Sequence, residues 1–334
     1  MTSWLFARKR LRASVFVAVT LVATGVGLAL YFVDPLHEIE LKTIDARFQI
    51  RGAEPPPADL VVVAVDDETF DHLGLQWPFP RRVQARMLSN VTGEKPKAVA
   101  VDIQFSERSS LGENDDIALL TALQNSNHKV VLANDEPSSS GQIQEFGANG
   151  NKLLSEVGAT AADGAFPNDP DGVIRRLPLS VSHLVGLDVA TADVVRGRRI
   201  HVPSGNTAWI DYYGPPGTIP TVPFWEVYTG KVNFYEVHGR RVPISRRLRP
   251  DFFRNKIVVV GATAATLQDL HETSVSRGLM MSGPEIHAQA IGTALAGFPL
   301  RNVSTAVDVI VIALMGLLVP LTSIRLSFAA SVPV

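Results

Sequence analysis

Hydrophobic positions follow a strand, helix, strand rhythm through the middle of the chain. The unbroken β-branched run Leu60–Val65 fits a strand that is buried on both faces, as in a parallel sheet. Pro80 fits the first residue of a following helix, and further apolar runs at 97–103, 129–133 and 256–260 indicate more buried strands. The pattern predicts an α/β fold in which a mainly parallel sheet is sandwiched by helices in three layers.

Weaker sequence patterns predict further helices and strands between these runs. Proline near the first position and an acid in the first turn favour a helix that begins at Gly283. The remaining predictions are helices over 115–123 and 187–195, strands over 164–166, 173–180 and 209–213, and a loop over 134–152.

An uncharged apolar run near the amino terminus, 13–33, is about 20 residues long, the length that a helix needs to cross a bilayer. Basic residues precede it and acidic residues follow it, which places residues 1–12 in the cytoplasm. A cleaved signal peptide is the alternative, but its apolar core would span only about 7 to 15 residues. We therefore predict a membrane helix.

A second apolar run, 304–324, predicts another membrane helix, with a buried carboxy-terminal helix as the alternative. Two such spans make 34–303 one extracytoplasmic domain of a multi-pass membrane protein. Its first part, 34–58, combines an amphipathic stalk with a proline-rich linker. We expect 325–334 to be the start of a further membrane region that is cut short.

Composition narrows the classes of function. The chain has 334 residues and a formal net charge of -2, so no basic excess predicts a nucleic-acid partner. Cysteine is absent, which excludes disulfides, thiolate metal sites and a cysteine nucleophile.

Acidic residues follow the predicted strands, where α/β proteins usually place ligand-handling groups. Neighbouring parallel strands would bring such acids together with a nearby base, as a structural ion-pair network, a ligand or cation pocket, or a catalytic acid/base pair. We assign no catalytic residue and predict that Asp66→Asn or Arg81→Ala disables such a site without unfolding the domain. The candidate ligand-binding residues are Asp66, Asp67, Arg81, Asp102, Arg175 and Asp269.

The sequence evidence for metal ligands is weaker than that for the candidate ligand-binding residues. Asp169 and Asp171 precede Gly172 and resemble part of a calcium loop, but the bidentate glutamate is missing and a plain turn also fits. His287 shares a stripe with Ile291, which also fits a satisfied core histidine. A divalent cation is the only cofactor that these residues suggest.

Several motifs in order give the chain a family resemblance. They are VVVAVDD at 61–67, WPFPR at 77–81, DGVIRR at 171–176, KIVVVGATA at 256–264 and GPEIHA at 283–288. Together they resemble the type-2 CHASE domain over about 37–300. Phe79 stands where that family usually has tryptophan, and Pro284 where valine is common.

The resemblance implies a bacterial sensor that detects an extracytoplasmic ligand or protein. In such receptors the output is a cytoplasmic adenylate or guanylate cyclase or a kinase, so this chain is expected to be non-enzymatic. A receptor of this build would act as a homodimer. Two alternatives stay open: a membrane-anchored hydrolase that depends on a divalent cation, and an envelope scaffold.

Overall fold

The structure is a computed structural model that describes residues 2–33, 37–245 and 251–329. It divides into two compact units. One unit contains the two ends of the chain, and the other, which we call the body, is Asp45–Arg301. Residues 34–36 of the predicted stalk and 330–334 of the predicted further membrane region lie outside the described residues.

Helices and strands alternate along most of the body. The helices are α1 (Thr2–Val33), α2 (His37–Arg51), α3 (Asp67–Leu73), α4 (Arg81–Gly93), α5 (Glu113–Gln124), α6 (Gly150–Glu156), α7 (Leu187–Arg196), α8 (Phe224–Thr229), α9 (Gly283–Leu295) and α10 (Thr305–Ala329). The strands are β1 (Leu60–Val65), β2 (Ala98–Asp102), β3 (Val130–Ala133), β4 (Gln144–Glu145), β5 (Ala148–Asn149), β6 (Thr160–Ala162), β7 (Val173–Ile174), β8 (Arg176–Pro178), β9 (Ser180–Val181), β10 (Leu184–Val185), β11 (Thr207–Trp209), β12 (Thr221–Pro223), β13 (Phe234–Val237), β14 (Arg240–Pro243), β15 (Ile257–Ala262), β16 (Leu270–Thr273) and β17 (Met281–Ser282).

The main sheet has eight strands in the order β14-β13-β12-β1-β15-β2-β3-β6. Its strands are parallel except at one edge, where β12, β13 and β14 pair in antiparallel fashion. The predicted mainly parallel sheet is therefore confirmed. The strand β15, which comes late in the chain, lies between β1 and β2 and separates these two early strands.

Side chains of the central strands alternate between two hydrophobic cores. Val61, Val63 and Val65 of β1 face the core that contains residues of α4, α5 and α8. Leu60 and Val62 face the opposite core, which contains residues of α7 and α9. Burial on both faces explains why the strand sequence is an unbroken apolar run rather than an alternating one.

Short elements differ from the sequence predictions. The predicted loop 134–152 contains the start of α6, a seven-residue helix whose first turn is capped by the Asn149 side chain. The predicted strand at 164–166 is instead β6, a few residues earlier, and the predicted strand 173–180 is broken into short pieces. These strands have two or three residues and α6 has seven, and none of them contains a long unbroken apolar run like that of β1, which is why the pattern missed them.

The unit built from the chain ends contains α1 and α10. Tyr31 Oη donates a hydrogen bond to Asp308 Oδ2 at 3.1 Å. Among the described residues, the segment Ser14–Val33 is long and apolar enough to cross a membrane, and Thr305–Leu318 is a shorter apolar stretch. The apolar amino-terminal helix is thus confirmed, while membrane crossing by either helix stays a prediction.

Candidate functional site

Acidic residues gather where three neighbouring parallel strands of the main sheet end. Asp102 is the last residue of β2, Asp135 follows β3, and Asp163 follows β6. At Gly164 a Cβ atom would lie 2.8 Å from Asp135 Oδ1 and 3.6 Å from Asp102 Oδ1. The two carboxylates therefore lie beside Gly164, where a side chain would not fit.

Two helices complete this group from one face of the sheet. Asp188 lies in the first turn of α7, and His287 lies in α9. Nδ1 of His287 is 2.8 Å from Asp188 Oδ1, and Nε2 is 3.8 Å from Asp102 Oδ1. The Phe166 ring stacks on the imidazole with 4.2 Å between centroids. The imidazole is thus held between two carboxylates and one aromatic ring.

Asp269 approaches from the segment that precedes β16. Its Oδ1 is 2.9 Å from His271 Nε2, and its carbonyl oxygen accepts a hydrogen bond from the Gly283 amide at 3.1 Å. Any side chain at Gly283 would collide with the Asp269 carboxylate, so the glycine lets α9 begin against it. We call the whole group the acidic cluster: Asp102, Asp135, Asp163, Asp188, Asp269 and His287.

The acidic cluster has a buried floor and an accessible rim. Asp163 and Asp188 are 0% exposed and His287 is 1% exposed. The side chain of Asp102 is 16% exposed, that of Asp269 is 29% exposed, and Asp135 is an exposed residue. Solvent therefore reaches one side of the acidic cluster while the other side lies in the protein interior.

Part of the buried floor lacks hydrogen-bond donors. Neither carboxylate oxygen of Asp163, nor Oδ2 of Asp188, has a hydrogen-bond partner among the residues that the structure describes. Nearly all buried polar atoms in proteins have a partner, because an unpaired carboxylate loses its hydration without compensation. Three carboxylate oxygens of the floor therefore lack a hydrogen-bond donor among the described residues.

Burial raises the pKa values of four carboxylates of the acidic cluster. Desolvation raises the pKa of Asp102 to about 7 and that of Asp163 to about 6, and it raises the pKa of Asp135 and Asp188 as well. For His287, burial favours the neutral form, but the nearby Asp188 and Asp102 carboxylates outweigh it and raise the pKa to about 9. At neutral pH His287 is therefore a cation.

A second buried group surrounds Arg175, which is 1% exposed. Its Nε and Nη2 atoms donate to Asp45 on α2 at 2.9 and 2.7 Å. Nη1 donates to Asp169 at 3.0 Å, and Nη1 and Nη2 each donate to Asp171 at 2.8 Å. We call Arg175 with Asp45, Asp169 and Asp171 the arginine clamp.

The arginine clamp uses the residues that resembled part of a calcium loop. Asp169 also accepts a hydrogen bond from Arg176, and Gly172 has a φ of 77°, as the tight turn requires. The Asp169 and Asp171 carboxylates thus face guanidinium groups. Among the described residues, no group of three or more histidine, aspartate or glutamate side chains is placed to hold a metal ion.

Asp66 and Asp67 lie apart from the acidic cluster. Asp66 caps α3, with Oδ1 accepting from the Thr69 amide at 2.8 Å and from its hydroxyl at 2.7 Å. Asp67 is exposed. Because β15 separates β1 from β2, Asp66 and Asp102 end strands that are not neighbours.

Arg81 has different partners again. Its amide donates to Asp115 Oδ2 at 2.8 Å, its Nε lies 3.7 Å from Asp116 Oδ1, and its guanidinium lies 4.5 Å from the centroid of the Phe105 ring. These contacts join the start of α4 to the start of α5. Arg81 is therefore placed to support helix packing.

Of the residues singled out from the sequence, Asp102, Asp269 and His287 come together, whereas Asp66, Asp67, Arg81 and Arg175 belong elsewhere. Sequence reasoning missed Asp135, Asp163 and Asp188. Asp135 and Asp163 follow short apolar runs, the same signal that pointed to Asp102. Applied to every strand end, that rule would have found both, although β6 has only three residues.

In α/β domains with a mainly parallel sheet, ligands usually bind at the carboxyl edge of the sheet, which is the edge where the acidic cluster lies. The sequence model of the CHASE2 domain matches residues 17–321, nearly the whole chain. The chain belongs to the CHASE2 family, whose members are extracellular sensory domains of membrane receptors and are not catalytic. No curated protein and no solved structure is significantly similar to it.

Proposed function

We propose that this chain is the transmembrane sensory module of a bacterial receptor. The body lies in the periplasm, detects a signal at the acidic cluster, and passes it through α1 and α10 to a cytoplasmic adenylate or guanylate cyclase or kinase domain. Two copies act together as a homodimer. One observation carries the proposal: a single segment of the body, Asp211–Gly217, holds both α2 and the helix that contains His287.

The first connection is to α2, which follows α1 in the chain. Arg51, the last residue of α2, donates to Asp211 Oδ1 at 2.5 Å and to the carbonyl oxygen of Tyr212. Upstream in α2, Asp45 is tied to the buried Arg175. These contacts hold the end of α2, from Asp45 to Arg51, within the body by charged hydrogen bonds, which are stronger than neutral ones.

The second connection is to α9, which precedes α10 in the chain. The Thr293 hydroxyl accepts from the Asp211 amide at 2.9 Å, and Gln289 Oε1 accepts from the Tyr213 amide at 2.8 Å. Glu285 Oε2 accepts from the Gly217 amide at 2.9 Å. Because His287 lies between these anchoring side chains, a shift of α9 at the acidic cluster would be felt at both membrane connections.

The placement of the body is tested by thiol labelling, since the chain contains no cysteine and gives no background. Ser139 is exposed in the body, and Ser3 lies at the start of α1. In intact spheroplasts a membrane-impermeant maleimide should label the Ser139→Cys variant and spare Ser3→Cys, which should react only after lysis. Labelling of Ser3→Cys alone in intact spheroplasts would place the body in the cytoplasm.

Signal transmission is tested by disulfide formation between two copies of the chain in membranes. Leu21 is 68% exposed on α1, so Leu21→Cys should yield a crosslinked dimer. Adding Asp45→Asn loosens α2 from Arg175 and should change the crosslinking yield. Glu40→Gln, an exposed change on the same helix, is the matched control and should leave the yield unchanged. Equal yields in all three backgrounds would contradict transmission through the stalk.

A further inference from the structure

We infer that the acidic cluster binds a ligand that carries a primary ammonium group. The role of this ligand as the stimulus rests on the proposed function. The binding itself follows from the charge balance, the unpaired oxygen atoms and the access of the site.

Negative charge exceeds positive charge at the acidic cluster. Five aspartates surround one imidazolium, and the charged groups that act most strongly on Asp102, Asp135 and Asp163 are other carboxylates and His287. Glu136 adds a further negative charge near Asp135. Carboxylates crowded in this way share protons or take up a cation.

The unpaired oxygens specify what kind of cation would fit. Asp163 is 0% exposed, it interacts electrostatically with Asp135, Asp188 and His287, and neither of its oxygens receives a hydrogen bond from the described residues. Asp188 Oδ2 is unpaired in the same sense. These atoms need N–H donors, and an ammonium group supplies three together with a positive charge.

The geometry favours a hydrogen-bonding cation over a coordinated metal ion. Both ring nitrogens of His287 face carboxylates, at 2.8 Å for Nδ1 and 3.8 Å for Nε2, which fits an imidazolium that has no free lone pair for a metal. Within the described ranges no set of three ligands is arranged for a metal ion. An ammonium ion needs no fixed coordination geometry, so this scattered set of oxygens suits it.

Solvent reaches the acidic cluster at its rim. Asp135 is exposed, and Oδ1 of Asp102 and Oδ1 of Asp135 both lie beside Gly164. We expect a primary ammonium on a slim alkyl chain to enter from this rim, whereas a fully methylated nitrogen is wider and has no N–H to offer. Charge alone therefore does not satisfy the site.

The experiment compares two pairs of cations on the full chain in nanodiscs, each pair having equal charge and different chemistry: methylammonium with tetramethylammonium, and putrescine with Ca²⁺. Thermal unfolding and calorimetric titration are recorded with methylammonium, putrescine, tetramethylammonium and CaCl₂ at millimolar concentration and constant ionic strength. Methylammonium and putrescine should raise the melting temperature and give saturable heats, and tetramethylammonium should do neither. No response to either amine, an equal response to tetramethylammonium, or a response to Ca²⁺ alone would overturn the inference.

Variants locate the binding. Asp163→Asn should weaken putrescine binding on the order of 10-fold to 100-fold, the expected effect of losing a hydrogen bond to a charged group. Asp71→Asn, on the exposed side of α3, is the matched control and should bind as the parent does. If Asp163→Asn does not fold, Asp102→Asn at the rim takes its place. Unchanged binding in the cluster variant overturns the inference but leaves the labelling and crosslinking results, and with them the proposed function, intact.

Discussion

The arginine clamp and the acidic cluster are built from similar parts and differ in how completely those parts are paired. In the clamp, a buried guanidinium donates to three aspartates, one of them on α2. In the cluster, a buried imidazole faces the carboxylates of Asp188 and Asp102 and leaves both oxygens of Asp163 unpaired among the described residues. In the arginine clamp the donors and acceptors satisfy one another, whereas in the acidic cluster the unpaired acceptors are the atoms that the inferred ammonium ligand would contact.

The largest effect should come from breaking the clamp. Arg175→Ala leaves Asp45, Asp169 and Asp171 without their shared cation, and removing one partner of a buried charge network costs about 3 to 5 kcal/mol. Urea unfolding of the full chain should show this loss of stability. The control is Arg241→Ala, an exposed arginine paired with Glu236, which should change stability by less than about 1 kcal/mol. A similarly small loss for Arg175→Ala would show that the clamp does not hold the body together.

Two isosteric substitutions, one in the acidic cluster and one in the arginine clamp, should change the free energy of unfolding in opposite directions if the cluster is unpaired and the clamp is fully paired. At pH 8, Asp163→Asn should stabilise the chain by up to about 3 kcal/mol, because it removes a buried carboxylate whose pKa is raised to about 6. Asp169→Asn should destabilise the chain, because Arg175 and Arg176 lose a charged acceptor.

The pH dependence of stability shows whether the effect of Asp163→Asn comes from removing a buried charge. A raised carboxyl pKa in the folded state stabilises folding below the unfolded pKa, and this stability is lost as the pH rises through about 6. The gain from Asp163→Asn should therefore shrink as the pH falls from 8 and vanish below about 4. Thermal unfolding across this range measures it, and a destabilising Asp163→Asn at pH 8 would mean that a donor satisfies this carboxylate after all.

The sequence predicted those secondary-structure elements whose apolar residues form a continuous run or a regular pattern. The apolar run of β1, the helix after Pro80 and the helix that begins at Gly283 could all be predicted, because each carries its own period or end signal. Strand order could not be predicted, since β15 comes from almost two hundred residues further along the chain and inserts between β1 and β2. That insertion separates Asp66 from Asp102, and no local pattern reports it.

The candidate site was predictable only in part for the same reason. Asp102 ends a clear strand and His287 lies in a clear helix, so both could be singled out. Asp163 follows a strand of three residues, and Asp188 lies in a helix whose packing against α9 is decided by tertiary structure. The family resemblance, which rests on ordered motifs rather than on a contact map, is confirmed.

A smaller effect concerns the proton on His287. Its pKa is raised to about 9 because the Asp188 and Asp102 carboxylates outweigh the effect of burial. Asp188→Asn removes one of these charges and should lower that pKa by about 1, which corresponds to roughly 1.4 kcal/mol. Nuclear magnetic resonance of histidine-labelled chain, titrated from pH 6 to 10, measures the shift when His287→Gln identifies the signal. An unchanged midpoint would assign the stabilisation of the imidazolium to other groups.

The smallest effect on stability should come from substituting Asp66. This residue also tests how far the functional edge of the sheet extends beyond the acidic cluster. Asp66→Asn preserves a side-chain oxygen that can cap α3, so the free energy of unfolding should change by less than about 0.5 kcal/mol, whereas Asp66→Ala should cost about 1 kcal/mol. Because β15 lies between the two strand ends, neither variant should alter putrescine binding or the crosslinking yield of Leu21→Cys. A changed response in Asp66→Asn, with stability preserved, would extend the functional edge from β2 across β15 to β1 and restore the role that the sequence first suggested for this residue.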